Sequence, residues 1–124
     1  METQKILKPS VSINLRKPVV RINKDTISAI GNPEYIILLV NPEDCTLGVS
    51  PGNKNDKRAH CISKYNNYRN TMELYSKSFV SNLLKLCPDW HKQGTYRIEG
   101  KEIKGMNIVK FVMSNATEIK RTIL

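Results

Sequence analysis

Two stretches of this chain hold the residue types suited to metal or nucleophile chemistry: His60-Cys61 and Cys87-Pro88-Asp89-Trp90-His91. A structural zinc site needs four converging ligands, offered as short Cys-x2–4-Cys or His-x3–5-His pairs. Adjacent His60 and Cys61 on a strand point to opposite faces, so they do not readily serve one ion. Cys87 and His91 have the one-turn spacing of a thiol and its activating base. Pro88 between them removes a helical N–H and argues against such a turn. Glu43-Asp44 is a carboxylate pair, but it follows Asn41-Pro42, residue types that build turns. The chain contains no Gly-x-Ser-x-Gly, Walker or Gly-x-Gly-x-x-Gly pattern. The residues predict a non-enzymatic protein without metal or cofactor.

The chemistry that remains is electrostatic. Among 124 residues, 20 Lys and Arg face 11 Asp and Glu, a net charge of +9. Residues 1–24 sum to +5, residues 25–53 to −4 and residues 54–70 to +4. Two basic blocks flanking an acidic one give a positive surface if they meet in space. The first block offers Arg16, Lys17, Arg21 and Lys24. The second offers Lys54, Lys57, Arg58, Lys64 and Arg69, joined by Tyr65 and Tyr68. Basic side chains neutralise phosphates and release counterions, and tyrosines stack on unpaired bases. The competing use of these residues is bland: solvated strand faces and a polar linker.

The elements that must carry them follow from periodicity. Val11, Ile13 and Leu15 alternate with polar residues, the mark of a half-buried strand. Val19 to Ile22 reads as its partner. Asn23 caps a short helix with Ile27 and Ile30 on one face, and Gly31 ends it. Tyr35 to Val40 is apolar on both faces and reads as a central strand. Cys45 to Val49 returns from a turn at Asn41–Asp44. Ser50 to Arg58 is polar and bears Pro and Gly, the pattern of a mobile linker. Beyond it, Ala59 to Tyr65 and Thr71 to Tyr75 read as strands. A helix capped by Ser76 carries Phe79, Val80, Leu83 and Leu86 and closes before Pro88. Gly94 to Glu99 is a strand, Gly100 to Gly105 a turn and Ile108 to Met113 the last strand. Residues 114–124 read as a tail.

Both halves thus follow strand, strand, helix, strand, strand. At an offset of 53 residues, the helix start at Asn23 overlays that at Ser76, with Lys24 on Lys77 and Ser28 on Ser81. The expected fold is α+β, mostly β: one domain of two ββαββ units, residues 9–50 and 59–113, sharing a core. Ile13, Val20, Ile22, Ile27, Ile30, Ile37, Leu39, Val80, Leu83, Ile98, Val109 and Phe111 are its expected members.

The segment Val19-Val-Arg-Ile-Asn-Lys-Asp-Thr-Ile-Ser-Ala-Ile-Gly31 and the hairpin to Val49 resemble the AbrB/SpoVT type of DNA-binding domain. That resemblance implies a swapped-hairpin β-barrel. The MraZ relatives carry both units in one chain, as the repeat here would allow. It further implies that Arg16, Lys17, Arg21 and Lys24 face DNA. The chain departs from that pattern at Lys17-Pro18, where the family has Gly-Arg, and at Asn23, where it has Pro. The acid-to-arginine signature of MraZ is not found in the second half.

The expected function is nucleic-acid binding, DNA or RNA, by a small regulator contacting phosphates. The alternative is an interaction protein of a phage or mobile element that binds and inhibits a host nucleic-acid enzyme. Lys, Asn and Ile, all numerous here, have AT-rich codons and suit such a source. A homodimer is compatible with either reading. No run approaches the roughly 18 apolar residues of a membrane span. Three scattered cysteines make no disulfide framework, and no apolar region follows the first residues as in a secretory signal. The expected location is the cytoplasm.

Overall fold

The computed structural model describes residues 6–62 and 71–119. Alternating apolar side chains make β1 (Ser10–Asn14) and β2 (Val19–Asn23) an antiparallel hairpin with Val11, Ile13, Val20 and Ile22 buried. α1 (Lys24–Ala29) starts where the Asn23 side chain accepts from the Thr26 N–H, 2.9 Å. It is followed by Gly31 at φ +85, a left-handed position. β3 (Tyr35–Asn41) and β4 (Thr46–Pro51) flank a turn in which Asn41 Oδ1 accepts from the Glu43 and Asp44 N–H groups. The expected turn is present, and within it the Asp44 carboxylate accepts from Asn41 Nδ2 at 3.1 Å. β5 (His60–Cys61) and β6 (Thr71–Tyr75) lead to α2 (Lys77–Leu86), capped by Ser76 Oγ accepting from the Phe79 N–H. β7 (Thr95–Ile103), β8 (Ile108–Val112) and β9 (Thr117–Glu118) complete the chain.

The strands form one curled antiparallel half-barrel in the order β5-β3-β4-β8-β7-β1-β2-β6, with β9 also pairing β7. The two halves of the sequence interleave as adjacent strand pairs, β3–β4, β8–β7 and β1–β2, with β5 and β6 of the second half at the two ends. A single apolar core holds Ile13, Ile22, Ile27, Ile30 and Leu47 from the first half with Met72, Val80, Leu83, Ile98, Val109 and Phe111 from the second. α1 touches β1, β2 and β8.

Four expectations need correction. β3 is not central; it lies one strand from the end of the sheet. Its two apolar faces have separate uses. Ile36, Leu38 and Val40 pack on the core, whereas Ile37 lies under Gly52 and Leu39 beside Gly48 and Ile108. Leu39 is therefore half-buried outside the core cluster, and Ile37, although buried, is outside it too. The expected turn at Gly100 is instead continuous strand, because β7 runs through to Ile103 and turns at residues 104–107. Glycine is required there by packing rather than by a turn. A Cβ at Gly100 would lie 2.5 Å from Phe111 Cε1 and 2.7 Å from Val109 Cγ1. Finally, residues 114–119 are not a tail. Met113–Asn115 form a 3-10 turn and β9 rejoins the sheet on β7.

The stretch read as a linker is also more ordered than its composition suggests. Ser50 and Pro51 belong to β4. Asn53 Oδ1 accepts from the Asn55 N–H, and Asp56 Oδ1 from the Arg58 N–H, each at 2.9 Å.

Candidate nucleic-acid interface

The described cations singled out in the sequence fall into four places, with Arg21 in the middle of β2. Arg16 and Lys17 sit exposed in the β1–β2 turn, which Asn14 Oδ1 braces by accepting from both their N–H groups at 3.0 Å. They line a polar cleft with Asn14, Gln93, Gly94, Thr95 and Ile119. Lys24 stands exposed beyond the far end of β2, about 16 Å away along the strand. There it borders a small apolar hollow with Ile27, Pro33 and Ile62. Lys54, Lys57 and Arg58 are exposed in the β4–β5 loop. Lys64, Tyr65, Tyr68 and Arg69 lie outside the described residues.

Two of these cations already have partners. Arg21 projects from the outer face of β2, opposite Glu73 on β6, and its Nε lies 3.2 Å from the carboxylate. Tyr75 Oη donates to the same carboxylate at 3.2 Å. Arg58 closes a fork on Asp56, donating from Nε and Nη2 at 3.1 and 2.9 Å. Those hydrogen bonds lower the Asp56 carboxyl to about 2. Arg21 and Arg58 thus each face a carboxylate. Among the described residues, Arg16, Lys17, Lys24, Lys54 and Lys57 have no carboxylate within 4 Å of their charged ends.

Three further exposed cations lie on β7 and β8. Tyr96 and Ile98 of β7 are buried, so Arg97, Glu99 and Lys101 face outward. Lys110 of β8 is exposed and stands directly across from Lys101. The alternation that exposes Arg97 and Lys110 was readable in the sequence. The register that joins Lys101 to Lys110 was not, because Gly100 reads as a turn.

The neighbouring turn fixes this region. Trp90 and Tyr96 stack with centroids 4.4 Å apart and planes 8° apart. The His91 N–H donates to Tyr96 Oη at 2.7 Å, and His91 Nδ1 lies 3.6 Å from Glu118 on β9.

The metal and nucleophile candidates do not assemble. α2 ends at Leu86, so Cys87 and His91 share no helix. The Cys87 thiol is buried at 3.6 Å from Met113 Sδ, and burial, reinforced by Cys45, pushes it up. His60 is half-buried on β5, and desolvation lowers its pKa. Among the described residues, no three His, Cys, Asp or Glu side chains are grouped to hold a metal. No helix among them is long and apolar enough to cross a membrane. Comparison of the chain with protein-family models, with curated proteins and with solved structures finds no match.

Proposed function

We propose that this chain is a non-enzymatic nucleic-acid-binding protein, a regulator that grips the phosphate backbone. The observation that carries the reading is the set of exposed cations, Arg16, Lys17, Lys24, Lys54 and Lys57, without carboxylate partners among the described residues, in the β1–β2 turn, at the start of α1 and in the β4–β5 loop of a +9 chain. Such cations release counterions when they meet phosphates and carry little base information.

The scaffold reading goes with it: a tandem swapped-hairpin fold of the AbrB/SpoVT kind. What supports it, beyond the Val19–Val49 resemblance, is the strand order. Exchange β1 with β5, β2 with β6, β3 with β7 and β4 with β8. Every neighbour pair along the sheet except β1–β2 then maps onto a neighbour pair already present. The missing counterpart is β5–β6, and the residues joining those strands are not among the described ones.

The test is fluorescence anisotropy with random-sequence duplex and single-stranded oligonucleotides over a salt series. Binding should weaken linearly in log–log form, with a slope near −0.9 per phosphate contacted on duplex. A protein partner is the second reading. It is favoured by an outward apolar patch of Leu39, Ile103 and Ile108 on the β3–β4–β8–β7 face, with Met106 exposed in the adjoining turn.

A further inference from the structure

We infer that a second basic site, formed where β8 gives way to β9 beside β7, seats a phosphate group. The inference rests on the nucleic-acid reading for its ligand, a backbone or terminal phosphate. None of its cations was singled out by charge blocks in the sequence.

The site is built by an interruption in the sheet. β8 pairs with β7 up to Phe111 opposite Gly100, and β9 resumes with Thr117 opposite Arg97. The register steps by three residues between them, taken up by the 3-10 turn at Met113–Asn115. Met113 is buried on the core side, against the Cys87 thiol. On the outer side the interruption leaves a cleft of about 480 Å³ lined by Arg97, Glu99, Gly100, Lys101, Asn115 and Thr117.

The electrostatics point to an anion. Lys101 and Lys110 are cross-strand partners on the exposed face, with Cβ atoms about 5 Å apart. Like charges placed opposite one another destabilise a sheet. Among the described residues, no carboxylate lies within 4 Å of the charged ends of Arg97, Lys101 or Lys110. The next position in that row, across from Lys110 on β4, is Gly48, so no side chain there screens the pair. A phosphate relieves this repulsion, and its tetrahedral oxygens can accept from several directions at once. The cleft supplies the Arg97 fork, the Lys101 ammonium and the neutral donors of Asn115 and Thr117, and Lys110 stands outside its lining, across the ladder from Lys101. Glu99 on the wall opposes an anion and leaves the lining at a net +1 with Arg97 and Lys101.

The experiment compares wild type with Lys101→Ala/Lys110→Ala and with the charge-matched control Lys54→Ala/Lys57→Ala. Inorganic phosphate is titrated in a backbone-amide NMR experiment, and oligonucleotide binding is followed over a salt series. For wild type, phosphate should shift the amides of Gly100, Lys101, Lys110 and Asn115. Lys101→Ala/Lys110→Ala should lose those shifts and flatten the duplex slope by about 0.9 per phosphate lost, roughly tenfold in affinity near 50 mM salt. The control should keep the phosphate shifts and the wild-type melt, whereas Lys101→Ala/Lys110→Ala should melt slightly above wild type because the cross-strand repulsion is gone. Tighter binding of 5′-phosphorylated oligonucleotides assigns the site to a terminal phosphate; equal binding assigns it to the backbone. Wild-type amides that stay still in phosphate, or a Lys101→Ala/Lys110→Ala slope equal to wild type, overturn the site while nucleic-acid binding stands. Phosphate shifts without any oligonucleotide binding uphold the site and overturn the nucleic-acid reading.

Discussion

Gly100→Ala tests the packing that lets β7 cross from β1 to β8. The new methyl would stand 2.5 Å from Phe111 Cε1, 2.7 Å from Val109 Cγ1 and 2.8 Å from Phe111 Cδ1. All three contacts fall well inside van der Waals separation. Phe111 and Val109 are both fully buried, so neither can swing into solvent. Overpacking of this kind costs about 1–3 kcal/mol. Gly100 is not among the positive-φ residues, so alanine recovers roughly 0.4–1 kcal/mol through the unfolded chain. The net expectation is a loss of about 1–2 kcal/mol in urea melts, with the m-value unchanged. Trimming the obstacle should return part of it, so Gly100→Ala/Phe111→Leu should be less destabilised than the two single losses added together. A Gly100→Ala midpoint equal to wild type, or strict additivity with Phe111→Leu, would refute the close approach of β7 to the core.

Substitutions at Leu47 and Leu39, at Asn23 and at His60 check separate parts of the fold. Leu47→Ala removes a fully buried side chain and should cost about 2–5 kcal/mol, whereas half-buried Leu39→Ala should cost clearly less; equal losses would return Leu39 to the core. Asn23→Ala should lose about 2 kcal/mol in the same melts, because Asn23 Oδ1 accepts from the Thr26 and Ser10 N–H groups while Nδ2 donates to the Lys8 carbonyl. Replacement by Ser, which caps but cannot span both strands, should recover only part. His60 has a folded pKa below 6.5, so the unfolded chain binds the extra proton and stability falls as pH drops below about 6.5. His60→Gln should flatten that part of the pH profile, and an unchanged profile would show that burial of His60 does not matter.

Much of the fold is legible in the residues because local signals and tertiary needs agree. Alternation in Val11–Leu15, the caps at Asn23 and Ser76, the left-handed Gly31 and the Asn41 turn all report local physics, and each stands as read. The failures come where long-range packing reuses a local signal. Gly100 looks like a turn residue but is a strand residue that Phe111 leaves no room to enlarge. Tyr35–Val40 looks central because both faces are apolar, yet on the outer face Gly52 and its loop cover only Ile37, and Leu39 stays half-buried beside Gly48. The basic residues suffer the same ambiguity. Arg21 and Arg58 count as charges in the sequence, but Glu73 and Asp56 hold them in the structure. Glu73 stands 52 residues beyond Arg21, so only the register could pair them.

The most direct test of the central claim is anisotropy of the wild-type chain with a fluorescent duplex from about 50 to 200 mM salt, repeated for Arg16→Ala/Lys17→Ala and Lys54→Ala/Lys57→Ala. A phosphate-gripping surface predicts a linear log–log decline in affinity, with a shallower slope in both variants and unchanged melts. The absence of salt-sensitive binding to duplex or single strand near 50 mM salt would contradict it and leave the exposed cations to solubility or to a protein partner.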